Sequence, residues 1–578
     1  MVALLAGAVY VREASPAVGG GNTGEFQVMA HLLGIAHPPS YPLYLLLAKS
    51  ASLLPLPGDV AWRMNVLTGV LAAAAVGLAG LVPVAVWGAP PDHGRPHVAR
   101  RRRFGLCGPA LALAAALAAV ATAAMPRLWS LAVEAEVFSL HLALVLAFWL
   151  ALLRWQTAVG AAADRWLLAA SLLAGLGLTN HRTFLFIAAA GALLVLVTRP
   201  RTLGRFRLLA ACTALVALGL TPYLYVVRGL VVPVAYFAPT DVHRLARGEV
   251  WYVLQGNAAG ETGGGDIVRR LFADRALLAA RTAWLWRHLA GQFGLAGPLC
   301  VVAGIGGLAL VAAARLRWTA TALLGAAGAA VFAMAYGKYP DGDRYLLPLE
   351  TLLALGLATL VASAAAALQW VLRRAAVAPV VGQIAGAAAG LGLGAYWAFS
   401  LGVLAGATNF TRGGYVHHTV HNLAGVEPNA VVCSWWASAW GWWYAQFVDG
   451  QRPDVTVVAK GPDECVRDIV PAEFGRRPAY VPAASDGVRR APYVFFPSRD
   501  LWLAVAPRAP LGDGAVLKGP DDKLYLYEGG RRRWIPTLDA FAGAGLTWSR
   551  VQLTPDYVLR EIPEGPPLAQ DGGRGPAD

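Results

Sequence analysis

Apolar runs long enough to cross a bilayer recur along this chain from residue 64 to residue 405, a pattern that suits a membrane and not an aqueous core. A hydrocarbon layer roughly 30 Å thick takes about 20 helical residues per crossing. Candidate spans lie near residues 64–88, 106–125, 137–153, 166–178, 183–198, 207–227, 293–314, 318–336, 345–368 and 378–405. Met1–Tyr10 is apolar but too short to cross alone, and reads as a truncated first helix. With it, the chain is expected to be a polytopic α-helical membrane protein of about eleven transmembrane helices. The 166–178 segment is short, so it and 183–198 read as a kinked or re-entrant pair. Composition agrees: 57% of the 578 residues are hydrophobic, 14% are charged, and mean hydropathy is +0.52. After residue 405 the pattern stops, and Pro, Gly, Trp and charge give a region of soluble composition.

Arginines set the expected orientation, because Lys and Arg in short loops stay on the cytoplasmic side. The 89–105 loop holds Arg95, Arg100, Arg101, Arg102 and Arg103 and is placed inside. Alternating from there, Arg154 and Arg165, then Arg199, Arg201, Arg205 and Arg207, then Arg315 and Arg317, then Arg373 and Arg374 all fall inside as well. This accounts for the net charge of +14 by anionic lipid headgroups and not by nucleic acid. It also puts the polar clusters at 12–62, 126–136, 179–182, 228–292 and 337–344, and the terminal region, on the outer face. Cys107, Cys212 and Cys300 fall in apolar runs and read as packing residues. Cys433 and Cys465 lie in the terminal region and could pair in an oxidising compartment.

The first outer loop runs GGGNTGEFQVMAHLLGIAHPPSYPLYLLLAK, Gly19 to Lys49. Its glycines favour a tight turn, Glu25 opens an apolar helical run, and His37-Pro38-Pro39 ends that run in a rigid bend. The segments GNTGEF, LGIAHPPSYPLY and WRMNVLTG (62–69) resemble the signature of the protein O-mannosyltransferase-like membrane proteins, a GT-C-fold group first catalogued as a domain of unknown function. AVEAEVFSLHLAL (132–144) resembles that family's second outer motif and GLGLTNHRTFL (175–185) its Asn-His motif. The resemblance covers approximately residues 5–370. It implies a GT-C-like membrane domain that transfers a sugar, mannose among the candidates, from a polyprenyl-phosphate carrier to an acceptor outside the cytoplasm. It also implies a first-loop acidic residue as catalytic base. The family usually has aspartate where this chain has Asn22, so the base is Glu25, another acid such as Glu136 or Glu134, or absent.

Inverting transfer needs a carboxylate to take the acceptor proton and positive groups to stabilise the departing phosphate. The site set is therefore Asn22, Glu25 and Glu136 for catalysis, with His37, Glu134, Asn180, His181, Arg182, Arg228, Asp341, Arg344 and Tyr345 for donor phosphate or substrate. Asp341 and Asp343 could orient the acceptor or bind an ion, and interfacial arginines could equally snorkel to headgroups. No transition-metal spacing and no cofactor is expected. The partners expected are membrane lipid, lipid-linked sugar and an extracytoplasmic protein or glycan acceptor, Ser/Thr hydroxyls first, in the plasma membrane. Two other functions stand beside this one: a non-catalytic relative that binds lipid-linked sugar, and a lipid-sugar transporter.

The domains expected are a GT-C-like membrane domain at 1–405, an extracytoplasmic α/β-like domain at 406–510, and a hairpin-helix module with a disordered tail at 511–578. Residues 427–459 read as short β-prone runs and turns, with five tryptophans between Trp435 and Trp443 that suit core packing, an interfacial belt or a sugar platform. A strand, a Gly529-Gly530 turn, a second strand and a helix from about Thr537 are expected in the last module.

Overall fold

The computed structural model describes residues 1–88, 108–255, 264–336, 340–374, 425–482, 491–498, 501–507 and 511–569, with single positions between them. The expected span at 378–405, the arginine-rich segment 89–105 and the side chain of Asp341 lie outside the described residues. The chain divides into two compact units, residues 1–414 and 415–578.

In the first unit the helices are α1 (Val2–Glu13), α2 (Gly21–Leu32), α3 (Pro42–Ser52), α4 (Val60–Gly88), α5 (Gly108–Ala123), α6 (Pro126–Ala132), α7 (Val137–Thr157) and α8 (Gly160–Asn180). They continue as α9 (Phe184–Thr198), α10 (Phe206–Gly219), α11 (Leu224–Val227), α12 (Arg247–Gln255), α13 (Gly264–Ala273), α14 (Arg275–Gly291), α15 (Gly297–Tyr336) and α16 (Leu347–Arg374). The chain is a multi-pass membrane protein. Among the described residues six helices are long and apolar enough to cross, or seven if the α5–α6 pair, bent by 64°, is one span. That is fewer than the expected eleven, of which the span at 378–405 lies outside the described residues and the two at 293–314 and 318–336 are the halves of α15. The helix α1, at 12 residues, and α9, at 15, fall short of a full crossing. The segment expected to be a short re-entrant piece at 166–178 is a 21-residue helix, α8, because small residues carry the helix back to Gly160.

The helical run α15 is broken in the middle. Arg315 leaves helical geometry with φ −142° and ψ 58°. Gly304 packs on the backbone of Leu353 in α16, and Leu346, just before α16, packs with Ala330 and Ala333. A straight helix would separate Gly304 from Ala333 by about 43 Å. The chain therefore reverses at Arg315, whose Nε donates to the carbonyl of Val86 at 3.2 Å. The first half of α15 then runs parallel to α16, and the crossing is closed by glycines: a Cβ on Gly307 would collide with the Gly356 carbonyl, and one on Gly356 with that of Gly304. Such small-residue contacts hold membrane helices together through backbone approach, since lipid supplies no hydrophobic drive between them.

The enclosed centre of the bundle is α7, which buries Phe138, Leu142, Trp149 and Trp155 among its residues. The chain alternates in direction, so the start of α7, the end of α8 and the starts of α9 and α16 meet at one end. The arginine-bearing ends, with Arg199 donating to the carbonyls of Gln156 and Ala158 and Arg205 paired with Asp164, meet at the other.

In the second unit a five-stranded sheet has the order β4-β3-β5-β7-β6, built from β3 (Val431–Ser434), β4 (Thr456–Ala459), β5 (Ala479–Pro482), β6 (Tyr493–Ser498) and β7 (Leu501–Pro507); the numbers β1 and β2 belong to Val234–Ala235 and Val242–His243 in the first unit. Strand β3 pairs parallel with β4 and β5, and β7 pairs antiparallel with β5 and β6. Cys433 and Cys465 form a disulfide inside its core, beside Val470, Val481 and Phe495. The tryptophan run is not strand and turn but a helix, α17 (Trp436–Phe447). It buries Trp440, Trp442 and Trp443 and leaves Trp435, ahead of it, exposed, which makes the run chiefly core packing. Large aromatic faces at helical spacing outweigh local β preference here. A second sheet has the order β11-β8-β9-β10-β12, with β8 (Ala515–Lys518), β9 (Leu524–Glu528), β10 (Arg531–Ile535), β11 (Val551–Leu553) and β12 (Glu564–Gly565). Gly529 and Gly530, both at positive φ, turn β9 into β10 as the sequence anticipates, and Thr537 caps α18 (Leu538–Gly543).

Candidate functional site

The helix α2 is short and almost wholly buried, which brings the polar first loop into the bundle. Three side chains anchor it. Gln27 accepts from Gly19 N–H at 2.9 Å and donates to Asn65 Oδ1 at 2.8 Å, and Asn65 in turn donates to the carbonyl of Ser15 at 2.8 Å. Glu25 is fully buried, and both its oxygens are used by one residue. The His37 N–H donates to Oε1 at 2.7 Å, and His37 Nδ1 lies 2.5 Å from Oε2. Burial alone would lower the His37 pKa, but the Glu25 carboxylate outweighs it and raises the pKa above the ordinary histidine range. His37 Nε2 is 3.0 Å from the Tyr41 hydroxyl.

This loop is strained and strapped. Leu33, Ser40 and Tyr41 all sit at positive φ, conformations that cost a non-glycine residue roughly 1–3 kcal/mol each. Arg228 donates to the Leu33 carbonyl and Tyr225 to that of Gly34, while Ile35 bridges to Tyr236. Arg228, expected as a phosphate ligand, is thus a strut of the first loop, and also stacks on Tyr225. Arg182 is likewise committed: it donates to the carbonyls of Val253 and Leu254, closing the carboxyl end of α12.

The other expected residues converge. Glu136, 3% exposed at the start of α7, accepts from Arg344 Nη1 at 2.6 Å across 208 residues of sequence. Two residues earlier Glu134 is only partly buried and accepts from the Thr23 hydroxyl at 3.3 Å. Burial, then the neighbouring Glu136, pushes the Glu134 carboxyl up to about 6. Asn22, in the first turn of α2, is half-buried and makes no side-chain hydrogen bond among the described residues. Asn180 donates to the Val137 carbonyl at 3.1 Å, which ties the end of α8 to the start of α7. The His181 ring lies 5.8 Å from Tyr41, 4.9 Å from Phe138 and 5.3 Å from Tyr345, so the Asn-His motif, the first loop and the last motif share one aromatic wall.

Sequence reading named Asp343 but did not anticipate the polar group it joins. Asp343 pairs with Arg127, and His288 Nδ1 stands 3.9 Å from Asp343. His288 Nε2 is also 2.7 Å from Glu350, which is fully buried in α16. The signal available was Glu350 itself, a carboxylate inside an apolar run, which is costly unless partnered. Its partners come from α14 and α6, which nothing in the local sequence connects to it.

Residues 22–204 match the sequence family described as the protein O-mannosyl-transferase TMEM260 N-terminal domain. This part of the chain is similar to a TMEM260-type N-terminal domain. The mouse (Mus musculus) protein O-mannosyl-transferase TMEM260 is 44% identical over 72 residues, which are 12% of this chain and 10% of that protein. The Dictyostelium discoideum protein O-mannosyl-transferase tmem260 is 26% identical over 231 residues, 37% of this chain and 25% of that protein. The chain thus matches a quarter or less of the length of these relatives. Among solved structures, ArnT from Cupriavidus metallidurans bound to undecaprenyl phosphate superposes with a TM-score of 0.50 at 14% identity, covering 88% of this chain and 98% of that one. Its apo state gives 0.51, at 87% and 96% coverage. At that identity the likeness is one of fold: the chain has the GT-C-like fold of ArnT.

Proposed function

We propose that this chain is an inverting membrane glycosyltransferase that moves a sugar, mannose first, from a polyprenyl-phosphate donor to a hydroxyl acceptor outside the cytoplasm, protein Ser/Thr first. The observation that carries this reading is the meeting, at one end of the bundle, of Glu25–His37, Glu134, Glu136–Arg344 and the Tyr41–His181–Tyr345 wall. Such a cluster supplies what the chemistry asks for, a carboxylate for the acceptor proton and positive groups for the phosphate that leaves. Arg344 and His37, whose pKa the Glu25 carboxylate raises against burial, are the groups best suited to the phosphate, because Arg182 and Arg228 donate to backbone carbonyls. The TMEM260-type domain and the ArnT-like fold support the same class. The Cys433–Cys465 disulfide and the arginines at the opposite helix ends support an outer location for the site and the terminal region, in the plasma membrane.

The test is purified protein in lipid nanodiscs with radiolabelled polyprenyl-phosphate mannose and a serine/threonine-rich peptide. Wild type is expected to yield glycosylated peptide of inverted anomeric configuration, and Arg344→Gln to lose about 10²-fold or more of the rate. Absence of transfer from mannose and from other polyprenyl-phosphate sugars would sink the enzyme reading. Asn22 favours one second reading, a non-catalytic binder of lipid-linked sugar, because it stands in the first loop without a carboxylate. Activity confined to Asn22→Asp would establish that alternative.

A further inference from the structure

Three carboxylates crowd the first loop and the start of α7, and the structure separates them by what they are already doing. Glu25 is 0% exposed and both its oxygens accept from His37. Glu136 is 3% exposed, with one oxygen on Arg344 and the other sealed from solvent. Both oxygens of Glu25 are engaged, and the unpartnered oxygen of Glu136 is shut away from an arriving hydroxyl. Asp343, on the neighbouring turn, is held by Arg127. Glu134 differs in both respects: it is partly exposed, and among the described residues it accepts a single hydrogen bond, from Thr23. A general base must reach the proton it removes, so geometry selects before acidity does.

We infer that Glu134 is the general base of the transfer, a role resting on the glycosyltransferase reading above. The acceptor O–H would give its proton to Glu134 as the acceptor oxygen bonds to the anomeric carbon. The bond from that carbon to the donor phosphate oxygen breaks, and its electron pair leaves with the phosphate. The groups facing Glu134 are Glu136 on its own loop, Arg344 from the 340–346 turn, and Thr23 from α2. Its carboxyl, raised to about 6 by burial and by Glu136, is a stronger base than an ordinary glutamate while still ionised at neutral pH. Thr23 anchors Glu134 to α2.

The experiment compares wild type and Glu134→Gln, with radiolabelled polyprenyl-phosphate mannose and a serine/threonine-rich peptide. Glu134→Gln keeps the side chain's shape, and size-exclusion chromatography checks that it folds. The expected result is a loss of about 10²–10⁴-fold in kcat with the KM for donor within a few-fold of wild type. Wild-type kcat/KM should fall as pH drops through about 6, where Glu134 takes up its proton. The inference is overturned if Glu134→Gln transfers within about tenfold of wild type, or if its loss is a donor KM effect. An inactive wild type overturns the glycosyltransferase reading itself, whereas an active wild type with an active Glu134→Gln overturns only the assignment of the base.

Discussion

At the residue scale the Glu136–Arg344 pair is the clearest case of mutual dependence. Their side chains are 4% and 16% exposed, and removing one partner strands the other's charge away from water. Breaking such a pair typically costs about 3–5 kcal/mol, while replacing both partners by apolar groups costs far less. Glu136→Ala should therefore lower stability more than Glu136→Ala combined with Arg344→Met, as measured by unfolding in detergent; equal losses would count against a buried pair. Glu25, His37, Glu136 and Arg344 were all visible in the sequence as polar residues of outer motifs. Their pairing was not, because ion pairs form between chain segments that only packing brings within 3 Å or so. The same limit explains Arg182 and Arg228: an arginine near an interface reads as a phosphate ligand until the carbonyls it serves are known.

At the scale of elements, glycine placement decides how closely helices meet. Gly306 and Gly307 are adjacent in α15, yet a Cβ at 306 meets open space while one at 307 collides with the Gly356 carbonyl. Gly306→Leu should leave a monodisperse protein on size-exclusion chromatography. Gly307→Leu should give aggregated or poorly expressed protein, because the backbone crossing cannot absorb a side chain. The sequence located this hairpin well, placing spans at 293–314 and 318–336 around Arg315 and Arg317, since segment hydropathy is a local property. It misjudged α8 and the tryptophan helix, where segment length or local β preference was weighed without knowing which faces would be covered.

At the scale of the whole molecule, the chain's alternating course carries one strong expectation about sidedness. In a cysteine-free background, a cysteine at Asp274, between α13 and α14, should react with an impermeant maleimide in intact cells, and one at Arg201 only after permeabilisation. Reaction at Arg201 in intact cells would invert the assigned topology. The sequence by itself determined that the chain crosses a membrane many times, which segments are apolar enough to do so, and that its polar motifs alternate to one face. Those outcomes follow from transfer free energies and loop charge, which each segment carries alone. Only the tertiary structure decided which carboxylates are already paired, which arginines are struts, and that Glu134 is the partly exposed one among the three acids beside the first loop. Those facts depend on contacts such as Thr23–Glu134 and Glu136–Arg344, across 111 and 208 residues, whose existence is fixed by helix packing and by no single segment.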